Sequence, residues 1–203
     1  MKLGKSKIDK RNNRIKRNIL GMICLLTLAN CGGGGGGSSS KFYGGVWDFV
    51  ARKIVDSCQT NASSNFNAVV TVNQDGDNVV ANSGTITLSG KTNDKDGFDV
   101  TGTSTTSQGC AAAYGYRFID ASDGIADAIL AILVRCGSAQ CDLGYGGSAS
   151  KRSNKESILL SSSTLNQSAE ELAQSCISGT INSKSIGESS ILEDTTSLLE
   201  SLL

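Results

Sequence analysis

The 203-residue chain contains no histidine and no proline. Without an imidazole it holds no Ser-His-Asp triad, no Cys-His dyad and no histidine-ligated metal site. General acid–base work near neutral pH, most often done by histidine, would pass to carboxylates or lysines. The stretch from Phe42 to Lys151 has no glutamate either. Its aspartates fall mostly beside glycine or on alternating polar faces, where solvent keeps them ionised. No Gly-x-Ser-x-Gly elbow occurs there to present a serine nucleophile. A typical chain of this length would hold about ten prolines at a usage near 5%. With none, turns are sought at Gly, Asn and Asp.

Basic and acidic side chains number 19 each, but they are unevenly spread. Residues 1–30 carry eight basic groups and one acid, Asp9, whereas residues 31–203 carry 11 basic and 18 acidic groups, a net charge of −7. An acidic body argues against a nucleic-acid footprint. Long apolar runs are also scarce. The first, Ile19–Ala29, has eleven residues, short of the ~20 needed to cross a ~30 Å hydrocarbon core. Behind the basic stretch Met1–Asn18, it has the layout of a secretory signal peptide.

Leu28-Ala29-Asn30-Cys31 follows this run and resembles a bacterial lipobox, with Asn30 where Gly, Ala or Ser is usual. The resemblance implies cleavage before Cys31 and a diacylglyceryl thioether on its sulfur. Two or three acyl chains hold a protein firmly at a membrane. Gly32, rather than Asp, in the next position implies the outer membrane. Gly32–Gly37 and Ser38–Ser40 then form a flexible tether of roughly 15–18 Å r.m.s. reach. The expected organisation is a signal peptide over 1–30, a lipidated Cys31 and tether over 31–41, a β-rich domain over 42–151 and a Ser-rich helical tail over 152–203.

Five cysteines remain after Cys24 in the apolar run and the lipidated Cys31: Cys58, Cys110, Cys136, Cys141 and Cys176. Export favours disulfides, and an odd count leaves one thiol after two bridges. The pairing stays open. Cys136-x4-Cys141 lacks zinc-ligand spacing, so no metal and no other cofactor is expected.

Alternation at period 2 dominates the middle of the chain. Phe66, Ala68, Val70 and Val72 share one face, Asp75-Gly76 marks a hairpin, and Ile86, Leu88, Phe98 and Val100 continue the pattern past a second turn at Asn93–Gly97. Tyr114, Tyr116 and Phe118 form an aromatic stripe, read as core rather than as the wall of an apolar pocket. Asp142–Lys151 is a candidate closing strand. The acids of the two turns satisfy turn geometry and lack the bidentate Glu of a calcium loop. The segment Tyr43–Cys58 fits helix or strand. Ile125, Ala128, Ile129, Ile132, Leu133 and Cys136 recur at helical spacing, with Ser122 or Asp123 as N-cap and Gly137 at the end, which predicts a buried helix. In the tail, Leu165–Ile177 and the capping box Ser190-x-x-Glu193 predict two short helices. The fold expected is mainly β: an antiparallel meander or partly open barrel with one buried helix and short C-terminal helices.

Gly45-Val46-Trp47 near the start of this domain resembles the first-strand motif of lipocalin-like barrels, which implies carriage of a small apolar ligand. Two functions are therefore carried forward. One is a membrane-anchored, non-enzymatic envelope lipoprotein that binds an envelope protein or glycan through a β surface. The other is the carrier. A filled interior favours the first, and a deep apolar cavity the second.

Overall fold

The computed structural model describes residues 41–153, 165–178 and 190–203. The expected signal peptide, Cys31 and the Gly/Ser run up to Ser40 lie outside the described residues. Eight antiparallel strands follow one another and close into a barrel, β8 pairing with β1. They are β1 (Gly45–Asp56), β2 (Asn65–Asp75), β3 (Asn78–Ser83), β4 (Ile86–Asn93), β5 (Gly97–Thr105), β6 (Ala111–Ile119), β7 (Ile125–Cys136) and β8 (Ala139–Lys151). Two helices pack on them, α1 (Leu165–Ile177) and α2 (Ile191–Ser201). The mainly β meander with C-terminal helices is thus as expected, while the barrel is closed rather than partly open.

Strand alternation sorts the side chains. Trp47, Phe49 and Ala51 of β1 point inward, which settles the ambiguous opening segment as a strand. They join Phe66, Val70, Leu88, Phe98 and Val100 in the core, together with the stripe Tyr114, Tyr116 and Phe118. Three hairpins turn on Gly76-Asp77, Gly84-Thr85 and Gly137-Ser138, each with positive φ at the glycine. Glycine in the first central position is the residue choice of a tight two-residue hairpin. The expected turn at Asp75-Gly76 is therefore shifted by one residue, Asp75 being paired with Asn78.

The predicted buried helix over 125–136 is instead β7. Its inward residues, Ala128, Leu130, Ile132 and Val134, are buried in the barrel, and its outward residues Ile129, Ala131 and Leu133 are buried as well. Leu199 covers Ile129 and Ala131 from outside, with Leu198 and Leu202 beside it. A strand apolar on both faces reads as a continuous hydrophobic run, in which helical spacing is matched by default. Gly137, read as a helix end, opens the β7–β8 hairpin. Ser122 and Asp123 belong to a short 3-10 turn, Ala121–Asp123.

Helix α2 lies against the outer wall because that wall is lined by small residues. An ideal Cβ on Gly115 would sit 2.5 Å from Leu199 Cδ1 and 3.2 Å from Thr195 Cγ2. The Ser190 amide donates to Glu193 Oε2 at 3.2 Å, one arm of the expected capping box. Arg135 of β7 donates to Asp194 at 2.7 Å and fixes the first turn. We expect Gly115→Val to cost about 1–3 kcal/mol by overpacking and to loosen α2, read as a lower denaturant midpoint with the barrel's near-ultraviolet signal retained.

Helix α1 closes one mouth. Asn166 Nδ2 in its first turn donates to Thr85 Oγ1 in the β3–β4 turn at 2.7 Å. In its last turn, the Ala173 carbonyl lies 3.8 Å from Cys136 Sγ and the Cys176 thiol 3.8 Å from the Val134 carbonyl, at the far side of the barrel. Ten residues of helix span about 15 Å, enough to bridge the opening. Leu165, Ala169, Leu172, Ala173 and Cys176 face down into the core. Glu170 accepts from the Ser107 amide at 2.8 Å and its hydroxyl at 2.6 Å, tying α1 to the β5–β6 loop.

Two carboxylates at this mouth are held below the usual range. The Ser107 hydroxyl and amide lower Glu170. At Asp56, burial raises the carboxyl, but the Lys53 ammonium and two hydrogen bonds from Thr60 outweigh it and the net shift is downward. A lowered folded-state pKa gives stability that is present above the unfolded value and lost as pH falls through the folded one. The α1 mouth is therefore the acid-labile end. Hydrogen-exchange protection of α1 and of residues 57–64, corrected for the intrinsic pH dependence of exchange, is expected to fall relative to the rest of the barrel as pH drops below the ordinary values of 4.5 for Glu and 3.8 for Asp. Glu170→Gln and Asp56→Asn together should flatten that dependence.

Candidate functional site

The interior, the first place to look for a ligand, is occupied by side chains. The ring centroids of Phe49 and Tyr116 lie 5.4 Å apart, and those of Trp47 and Phe118 5.5 Å. Each pair joins β1 to β6, strands three apart around the barrel, so the rings meet across the lumen. Phe98 stacks on Phe118 at 4.4 Å, and Phe66 meets Tyr145 at 5.0 Å. The polar tips of these rings are satisfied. Tyr116 shares a hydrogen bond with Ser83 Oγ at 3.4 Å, Tyr114 with Ser104 Oγ at 2.8 Å, and Tyr145 donates to the Ser63 carbonyl at 3.2 Å. Burial raises the Tyr116 phenol far above its ordinary value and pushes Tyr145 up to about 12, so both stay neutral.

The second mouth is closed by the entering chain. The Tyr43 amide donates to Gln74 Oε1 at 2.7 Å, the Trp47 indole donates to the Tyr43 carbonyl at 2.9 Å, and Tyr43 packs on Phe98. Lys151 places its ammonium 5.4 Å from the Phe42 ring and 5.9 Å from the Trp47 ring. Arg152 holds Asp48 through both carboxylate oxygens. Ser148-Ala149-Ser150-Lys151 has the Ser-x-x-Lys spacing of acylating serine enzymes. On a strand, residues three apart lie on opposite faces. Ser148 points outward while Lys151 lies over the rings at the mouth, so the two form no nucleophile–base pair.

The described cysteines gather at the α1 mouth. Cys58 pairs with Cys141 and Cys110 with Cys136, leaving the buried thiol of Cys176. With sequence separations of 83 and 26, loop closure would contribute up to about 4.5 and about 3.5 kcal/mol in the chain-entropy model. Burial pushes the Cys176 thiol up, which keeps it protonated and a poor nucleophile. Cys31 lies outside the described residues. In the acidic turn at Asn93–Gly97 the side-chain oxygens of Asn93 and Asp96 are engaged, Asp96 by the Lys41 ammonium. Asn93 Oδ1 accepts from the Lys95 and Gly97 amides, each at 3.0 Å, and Asp99 is bound by Asn93 Nδ2 and by both sides of the Arg117 fork.

The recesses lie on the outer wall. A depression of about 380 Å³ near the end of α2 is lined by Asn93, Asp94, Lys95, Asp99, Arg117, Glu200 and Leu203, and its Asp99–Arg117 pair is already made. A larger open groove of about 620 Å³ crosses β2, β1, β8 and β7. Arg52, Asn65, Asn67, Asp127 and Ser148 line it over a floor at Gly146 and Gly147. Sequence patterning left Arg52 in a segment that fitted helix or strand, Asp127 in the predicted buried helix and Ser148 in a candidate closing strand, and it singled out none of these residues. Closure of β8 on β1 brings them together, and the one local signal was the glycine run in β8. No family model matches the chain, and neither a curated protein nor a solved structure matches it.

Proposed function

We propose that this is a membrane-anchored envelope lipoprotein with a non-enzymatic role, binding a protein or glycan partner through the outer wall of its barrel. The observation that carries the reading is the filled lumen. Aromatic rings from facing strands touch, helix α1 spans one mouth, and the entering chain covers the other. What remains for recognition is the outside, where the recesses lie. The faces also run opposite to those of a membrane-spanning barrel, which turns apolar residues outward and polar ones inward. Here the apolar residues fill the interior and Asp48, Arg52, Asn67 and Asp127 face out. Among the described residues no helix is long and apolar enough to cross a membrane; in this reading the attachment is made by lipid on Cys31, with the Gly/Ser run as spacer.

The carrier reading draws on the eight-stranded closed barrel and on the place of Trp47 at the base of β1. It would require the aromatic rings to part and α1 to leave its mouth. The absence of histidine from the chain and, among the described residues, of an activated serine or cysteine supports binding over catalysis. Metabolic labelling with a palmitate analogue tests the anchor. We expect label on the wild-type protein and its recovery with the outer membrane, with both lost in Cys31→Ser. Unchanged labelling and fractionation of that variant would overturn the assignment.

A further inference from the structure

The groove across β2, β1, β8 and β7 is built on two adjacent rows. Asn67, Val50, Ser148 and Asp127 are paired in one row, and Asn65, Arg52, Gly146 and Ile129 in the next. Where its neighbours raise side chains, β8 offers backbone at Gly146 and Gly147, with Ile54 of β1 at the edge, 3.2 Å from where a Gly146 Cβ would sit. Arg52 therefore stands on one side of a shallow floor and Asp127 on the other. The remaining described arginines are all committed: Arg117 to Asp99, Arg135 to Asp194 and Arg152 to Asp48. Arg52 and Asp127 have no ion-pair or hydrogen-bond partner among the described residues. The Oδ1 of Asn67 is buried without a partner as well. On a surface whose other described arginines are paired, this is a convergence of uncommitted polar groups around a concavity, the element of a ligand site that fixes orientation and specificity.

The composition of the groove selects the chemistry of its occupant. An anionic segment would meet Asp127 and a cationic one Arg52. An apolar ligand would strip water from both charges and return no hydrogen bond. A hexose ring meets all the requirements. Its vicinal hydroxyls donate to the Asp127 carboxylate, and its oxygens accept from the Arg52 guanidinium. The amides of Asn65 and Asn67 and the Ser148 hydroxyl serve either role. Val50, 51% exposed at the groove, offers an apolar surface to the C–H face of the ring. We infer that the groove binds uncharged hexose units of an envelope glycan. This inference rests on the reading of the outer wall as the binding surface.

Titration of the 15N-labelled full-length chain with maltotriose, cellotriose and triacetylchitotriose tests it by NMR. The backbone amides of Gly146 and Gly147 and the side-chain amides of Asn65 and Asn67 should shift saturably with at least one of the three. Arg52→Ala and Asp127→Ala should each weaken that binding about tenfold, as expected for loss of a charged hydrogen bond. Ser148→Leu, which fills the groove from an exposed position, should abolish it. The absence of shifts with all three sugars, or shifts that survive Ser148→Leu, would overturn the saccharide site. Shifts elsewhere on the outer wall would overturn the groove but keep the surface reading, whereas shifts confined to luminal residues such as Tyr116 would overturn both.

Discussion

Contact between aromatic rings across the lumen is the constraint on which the rest of this structure depends. The chain has ten aromatic residues, and all except Phe42 are buried. An eight-stranded barrel is just wide enough for side chains from its own walls to fill it, and here they do. Edge-to-face and stacked rings at 4.4–5.5 Å add to the burial of large apolar areas. Because the rings join β1 to β6, and not only neighbouring strands, they fix the cross-section of the barrel. The hydroxyls of the three luminal tyrosines find Ser83, Ser104 and Ser63, so the core carries its polar tips without orphaning them.

A filled lumen determines where the helices go. Helix α1 has an apolar stripe that completes the core at one mouth, and the two disulfides and the Glu170–Ser107 clamp fasten the loops around it. Helix α2 has no interior left to enter. It covers the outer wall at Gly115, Ile129 and Ala131, and the lack of a side chain at Gly115 and the small one at Ala131 let it approach. Neither described helix covers the outer faces of β2, β1 and the Gly146–Ser148 stretch of β8, where the groove lies. The proposed binding surface is thus the part of the barrel wall that neither helix takes.

Much of this was legible in the sequence wherever one face was wet. Phe66–Val72, Ile86–Leu88, Phe98–Val100 and the stripe Tyr114–Phe118 alternate, because their outward neighbours are Asn67, Thr71, Thr87, Asp99 and Arg117 or the small Gly115, with Val69 the one apolar exception. The reading failed at Ile125–Cys136 for the complementary reason: α2 buries the outer face of β7, polar alternation vanishes, and a continuous apolar run fits a helix equally well. The arrangement that hides β7 lies some sixty residues away along the chain, beyond any local pattern. The groove was illegible for a similar reason. Arg52, Asn65, Asp127 and Ser148 become neighbours only through the closing β1–β8 register and its neighbours, and none is unusual where it stands in sequence. The count of five cysteines gave two bridges and one thiol but not their pairing, which needed the loops at the α1 mouth to be brought together.

Trp47 is the sole tryptophan and is fully buried against Phe118, so its fluorescence reports the interior alone. The most direct measurement is a titration of the folded protein with a long-chain fatty acid, following Trp47 emission and its quenching by acrylamide. A lumen already filled by its own side chains predicts a short-wavelength emission maximum, weak quenching and no change at any ligand concentration. A saturable shift in Trp47 emission would show that the lumen admits a ligand and would contradict the account.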